Sequence, residues 1–257
     1  MDSQSELPRT LSLAVHEFRT PITVVSGYLR MLLRELAGPL SDKQRHMLQE
    51  MDQSCGRLNT YVEQMSLIGK LDSGDAAIVR KDMDLAGLVA EVASGMHEGN
   101  DRGVELELRG LDHPLVVTGD RPRLTTALHA LIHSALREHG DRGTVVAQCS
   151  TYGSDDRKYA VVAIAPDALL PVLLQNPLAD AFAFDEYRGG TGMALPVARR
   201  IIERHGGMVW SAATAQELAA LYAGHRSGDH RVILPDTERS EIVRRRAASA
   251  LRLPLRD

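Results

Sequence analysis

From Leu11 the apolar positions run Leu11, Val15, Phe18, Ile22, Val25, Leu29, Leu32 and Leu36, in alternating steps of four and three. That rhythm predicts a long helix carrying one coiled-coil-like stripe. Ala37-Gly38-Pro39-Leu40 breaks it, and Ser41-Asp42-Lys43-Gln44 offers a capping box whose Ser41 hydroxyl and Gln44 amide satisfy the first free N–H groups of a second helix. The second stripe runs Met47, Met51, Cys55, Leu58, Val62 and Met65, and Leu71-Asp72-Ser73-Gly74-Asp75 ends it. Two helices of about 30 residues, roughly 45 Å long at 1.5 Å per residue, form an antiparallel hairpin. One buried stripe per helix leaves Leu13, Val24, Leu33 and Leu48 in water. Pairing with a second copy removes that exposure, which predicts a homodimer through residues 7–70 with a four-helix bundle; packing of the hairpin on the rest of its own chain is the alternative.

After Ser73-Gly74 short strands alternate with helices. Strands are expected at Ala76 to Arg80, Val104 to Leu108, Leu115 to Val117, Thr144 to Cys149, Tyr159 to Ala165 and Met208 to Ser211, with a last one at Arg231 to Leu234 ended by Pro235. Helices are expected at Leu85 to Met96, from about Arg121 to His139 behind Gly119-Asp120, and from the Gly189-Gly190-Thr191-Gly192 turn to His205. The layout is α+β, with one sheet and helices on one face. Ala212 to His225 reads as an insertion holding an extra helix, and Arg244-Arg245-Arg246 as a solvated helix end or tail.

Composition narrows the function. The 257 residues are 44% hydrophobic and 25% charged, the balance of a globular protein. A net charge of −4 supplies no basic field for nucleic acid or an anionic membrane, and 4% aromatics leave few platforms for base stacking. Neither partner is expected. Cys55 and Cys149 make no metal-ligand or disulfide spacing, and no metal site is expected from the cysteines. No segment approaches the roughly 20 apolar residues of a bilayer span, and the first residues do not resemble a signal peptide, so the expected location is cytoplasmic.

The chemistry begins in His16-Glu17-Phe18-Arg19-Thr20-Pro21. His16 lies off the stripe and is expected to face solvent, where an imidazole nitrogen is available as a nucleophile. Glu17 can accept the other ring N–H and orient the ring, and Thr20 lies four residues on over the same face. Pro21 removes the helical partner of the Glu17 carbonyl, so a bend is expected there. This hexapeptide, in a heptad helix followed by a Gly-Pro turn and a second heptad helix, resembles the dimerisation and phosphoacceptor domain of two-component sensor histidine kinases. The resemblance implies that His16 accepts a phosphoryl group and passes it to an aspartate of a response regulator receiver domain. It implies too that Glu17 assists the transfer and that Thr20 helps place water when the regulator is dephosphorylated.

The remainder resembles the ATP-binding domain of the same family, best from Gly119 to Leu124 and from Gly189 to Trp210. Gly190, Thr191 and Gly192 match its phosphate turn, where glycines permit close backbone approach and a helix N-terminus faces the triphosphate. Ala130 and Ser134 stand where family kinases carry two asparagines, the second of which coordinates Mg²⁺; Ser134 is a poor substitute. Asp167 falls on the aspartate that reads adenine, although Ala168-Leu169-Leu170-Pro171 replaces the glycines that follow it. Arg137 is basic near the phosphates, and Phe182 or Phe184 matches the aromatic of a short lid.

The expected domains are therefore 7–72 for dimerisation and phosphoacceptance, 75–236 for an α/β-sandwich ATPase-type fold, and a basic tail at 237–257. Three readings stay open: a kinase using ATP and Mg²⁺ to phosphorylate His16, a phosphotransfer protein charged by a regulator without ATP, and a pseudokinase scaffold. With the stripe starting at Leu11, the input signal is expected from another protein, an upstream region or the dimer partner.

Overall fold

The computed structural model describes residues 3–140, 142–154, 157–175, 183–188, 190, 192–214, 216–217, 219 and 236–256. They belong to two compact units, Met1–Ala77 and Ile78–Asp257. Among the described residues no helix is long and apolar enough to cross a membrane.

The first unit is the hairpin, α1 (Ser3–Leu33) and α2 (Asp42–Ser73). The helices span 31 and 32 residues, and α1 runs unbroken through Pro21. The capping box forms as expected: Ser41 Oγ accepts from the Gln44 N–H while the Gln44 side chain accepts from the Ser41 N–H. Arg45 braces the turn by donating to the Leu33 carbonyl at 3.4 Å and pairing with Glu35, a non-glycine residue held at φ 59°. Gly74 ends α2 in the left-handed region.

The stripe itself divides. Val15 and Leu29 of α1 and Cys55 and Val62 of α2 are buried, whereas Phe18, Val25 and Leu36 from the same stripe are exposed, beside Leu13, Val24, Tyr28, Met31, Met47, Met51 and Leu58. Buried and exposed residues are interleaved along α1: Val15 and Leu29, fourteen residues apart, share one edge of the stripe, and Phe18 and Val25, seven apart, share the other. One edge closes the hairpin and the other is uncovered.

The second unit contains β1 (Lys81–Asp84), α3 (Leu85–Ser94), β2 (Val104–Arg109), β3 (Val116–Gly119) and α4 (Arg121–Glu138). There follow β4 (Gly143–Ser154), β5 (Arg157–Pro166), α5 (Leu170–Leu174), α6 (Ala194–Arg204), β6 (Met208–Ser211), α7 (Asp236–Ala247) and β7 (Ser249–Pro254). Two sheets form in place of the expected single one. β1 and β3 make an antiparallel pair, and the main sheet has the order β2-β4-β5-β7-β6, parallel only between β2 and β4. The first strand begins at Lys81, beyond the expected 76–80, because its ladder partner is the 116–119 strand and Asp84 ends it as the N-cap of α3. Asp84 accepts from the Ala86, Gly87 and Leu115 N–H groups, joining the small sheet to the helix.

The residues expected as a basic tail are structural. β7 lies inside the main sheet between β5 and β6, with Val162 opposite Leu251 and Trp210 opposite Ala250. Its Ala250, Leu251 and Leu253 are buried, so apolar burial on both neighbours draws it into the sheet. The arginine run occupies the last turn of α7, where cations complement the helix C-terminus. The expected strand at 231–234 and most of the 212–225 insertion lie outside the described residues.

The core is aliphatic, as the low aromatic content requires. Val146, Val161, Ala163, Ala165, Leu170, Leu173, Ala248 and Ala250 surround Trp210, the only tryptophan, whose indole N–H donates to the Leu173 carbonyl at 3.1 Å. On α4 the inward residues Leu124, Leu128, Leu131, Ile132 and Ala135 are buried, as are Leu195, Ala198, Ile201 and Ile202 on α6. Burial of each such leucine or isoleucine contributes about 2 kcal/mol.

Candidate functional site

In the hairpin, Val15 is buried and turns the next residue outward. The His16 side chain is 79% exposed and that of Glu17 72%, and His16 Nδ1 stands 3.8 Å from Glu17 Oε1. That separation is beyond a direct hydrogen bond but within electrostatic reach. A neutral imidazole with its proton on Nδ1, toward the carboxylate, leaves its lone pair on the outward Nε2. Thr20, one turn along, is also exposed, so the three residues share an open helix surface.

The second unit holds the other candidates. Gly190 and Gly192 adopt φ of 57° and 63°, a region that L side chains resist, and they lead into α6, whose N-cap Met193 makes no side-chain cap. Arg137 lies beside this turn: its guanidinium is 3.7 Å from the position a Cβ would take on Gly190. Thr191 and Phe182 lie outside the described residues. Asp167, the first residue after β5, is exposed and paired with Arg109 of β2. Arg109 also holds Glu107 at 2.7 Å, and the two carboxylates push its pKa further up.

Ser134 is wholly buried and already engaged. Its hydroxyl donates to Glu138 Oε1 at 3.0 Å and accepts from Arg188 Nε at 3.3 Å. The Arg188 side chain is fully enclosed, 3.5 Å from Glu138 Oε1 and 5.3 Å above the Phe184 ring. Arg246 of α7 reaches Asp185 at 3.3 Å and Glu138 at 3.9 Å. Two guanidinium groups thus face two buried carboxylates. Burial raises the Glu138 pKa against the opposing pull of Arg188, Ser134 and Arg246. Magnesium demands a near-octahedral shell of oxygens and does not fit beside an enclosed guanidinium, so this arrangement does not suit it at Ser134.

The pattern along the chain foretold neither Arg188 nor Arg246, because their partners lie on three separate segments. Glu138 was the accessible clue, being one helical turn from Ser134. Another buried polar pair fixes the start of α4. His205 Nδ1 donates to the Ile201 carbonyl and Nε2 accepts from the Asp120 N–H at 2.9 Å, while the Asp120 carboxylate accepts from Val79 and Arg123 N–H groups. Burial lowers the His205 pKa, and the neutral ring is the form these bonds require.

Comparison with known proteins places these features in context. Residues 9–74 match the family model for the His Kinase A (phospho-acceptor) domain. The chain is 27% identical over 203 residues to the probable sensor histidine kinase TcrY of Mycobacterium tuberculosis, covering 76% of this chain and 41% of TcrY. It is 25% identical over 198 residues to the phosphate regulon sensor protein PhoR of Pseudomonas aeruginosa, covering 74% of this chain and 43% of PhoR. It thus spans less than half the length of these relatives. Among solved structures, full-length ShkA in complex with AMPPNP superposes with a TM-score of 0.62 at 20% identity, over 96% of this chain and 46% of ShkA. The histidine kinase AdeS of Acinetobacter baumannii gives 0.51 at 16% identity, over 94% and 98%. Both are likenesses of fold.

Proposed function

We propose that this chain works as a member of the two-component sensor histidine kinase family, whose phospho-acceptor model residues 9–74 match, and that His16 carries a phosphoryl group exchanged with an aspartate of a response regulator receiver domain. The exposed His16, with Nδ1 toward Glu17, carries this reading. Nε2 attacks the phosphorus of the regulator's aspartyl phosphate, and the P–N bond forms as the P–O bond breaks. The aspartate carboxylate leaves with the electron pair. The reverse step returns the group to a regulator. Glu17 holds the proton-bearing side of the ring, and Thr20 positions water for hydrolysis of the regulator's phosphate.

The uncovered apolar face through Phe18, Val25, Met47 and Met51 favours a second copy of the hairpin as its cover, giving a homodimeric bundle. The domains this reading uses are 7–72 for phosphoacceptance and the sheet unit that follows it in the chain. The family supports a transferase. For the sheet unit, the AMPPNP in the ShkA structure and the turn at Gly190 and Gly192 favour a nucleotide ligand, while the side chains around Ser134 disfavour its magnesium.

The test is transfer in both directions. Incubating the chain with a panel of phosphorylated receiver domains is expected to move phosphate from at least one receiver onto the chain, and then onto a second, unphosphorylated copy of that receiver. If every receiver keeps its phosphate, the reading fails.

A further inference from the structure

The buried cluster between α4, residues 183–188 and α7 has an unusual composition for a ligand site. Ser134 and Glu138 project from successive turns of one helix, and Arg188 lies between them and Phe184. Arg246 closes the far side through Asp185 and Glu138, and the Tyr187 N–H donates to the other oxygen of Asp185 at 3.1 Å. Two positive and two negative side chains balance, so the cluster needs no outside ion. α7 lies between β6 and β7 in chain order, and its register brings Arg246 to Asp185 and Glu138 while Arg245 turns to Glu241 and Glu217.

We infer that the Arg188 guanidinium supplies, from within the chain, the positive charge that a divalent cation would bring beside Ser134, and that α7 clamps it there through Arg246. The inference rests on reading the second unit as a histidine-kinase-type domain. It stands apart from the role of His16, because its test reads cation dependence and not phosphoryl transfer.

The chemistry is direct. A hard cation needs free oxygen lone pairs, and the Ser134 hydroxyl has given its proton to Glu138 and one of its two lone pairs to Arg188. The Glu138 carboxylate, the nearest other oxygen donor, faces two guanidinium groups. A divalent cation entering here would meet the like charge of Arg188 at a few ångströms in a buried setting, where screening by water is weak. Removing that guanidinium reverses the balance: Glu138 and Asp185 then face Arg246 alone, and the excess negative charge becomes a seat for Mg²⁺.

The experiment compares the full chain with Arg188→Met in Mg²⁺ and in EDTA. Thermal unfolding is followed by the fluorescence of Trp210, which lies in this unit, and AMPPNP binding by calorimetry. For the unsubstituted chain the midpoint is expected to be the same in both media, and any AMPPNP affinity to differ by less than about twofold. Arg188→Met is expected to unfold at lower temperature in EDTA and to recover with Mg²⁺, and to bind AMPPNP about tenfold more tightly with the cation than without. Should Arg188→Met fail to fold, Arg188→Gln, which removes the charge but keeps a polar side chain beside Ser134 and both carboxylates, is used instead, and the same gain of cation dependence is expected. An unsubstituted chain that binds AMPPNP about tenfold more tightly in Mg²⁺ overturns the inference, as do folded variants that are indifferent to the cation.

Discussion

Arg188 Nε donates to Ser134 Oγ across 3.3 Å, joining the segment before the glycine turn to the inner face of α4. Both residues are buried, and each also meets Glu138. The bond ties the Ser134 hydroxyl into a buried cluster of two guanidinium groups and two carboxylates. The proposed phosphoryl chemistry rests on the hairpin, where the His16 imidazole is open to water.

Assembly is testable on the uncovered face. Val25 is exposed in the single chain, so Val25→Glu leaves the hairpin folded while placing a carboxylate in the dimer core. Light scattering is expected to give a dimer for the unsubstituted chain and a monomer of unchanged helix content for Val25→Glu. By contrast, Val62→Glu buries an unpaired carboxylate inside the hairpin at a cost of several kcal/mol and lowers helix content itself. A monomeric unsubstituted chain well above micromolar concentration contradicts the dimer.

Thr20 offers a separation of activities. Its hydroxyl is exposed one turn from His16 and is assigned to water, not to the imidazole. Thr20→Ala is expected to slow dephosphorylation of a regulator by about tenfold while phosphate acceptance by His16 stays within about twofold. Equal losses in both assays point to a disturbed helix instead.

Local pattern carried much of the hairpin. The four-three rhythm and the Ser41 box specify two helices and their turn, and the hexapeptide contains the exposed His16 and Glu17 on which the proposed chemistry rests. The split of the stripe into a covered edge at Val15 and Leu29 and an uncovered edge at Phe18 and Val25 depends on where the partner helix lies, which a list of heptad positions does not display. The sheet unit was harder. Ser249-Ala250-Leu251-Arg252-Leu253-Pro254 is short, follows three arginines, and becomes a strand because β5 and β6 leave a slot between them. The Arg188 cluster joins residues more than a hundred positions apart, and no local pattern encodes such a meeting.

The His205 bonds predict a pH dependence. Burial holds its pKa below the ordinary 6.5, so the unfolded chain takes up this proton first as pH falls. Its stabilising contribution is complete above 6.5 and is lost as pH drops from there through the lower folded value. Glu138, shifted upward by burial, works in the opposite sense, losing stability as pH rises above 4.5. Comparison with His205→Gln isolates the histidine. Urea unfolding followed by Trp210 fluorescence is expected to show a midpoint that falls between about pH 7 and pH 5, with a shallower fall in the variant. Parallel curves for the two proteins refute the assignment.

The phosphoryl assignment itself is tested most directly at His16. The full chain and His16→Gln are each incubated with a phosphorylated receiver domain that donates to the unsubstituted chain, and acid-labile, base-stable phosphate is mapped by mass spectrometry. The account predicts phosphate on His16 of the unsubstituted chain and none on a variant whose helix content is unchanged. Acid-labile phosphate persisting on His16→Gln contradicts it.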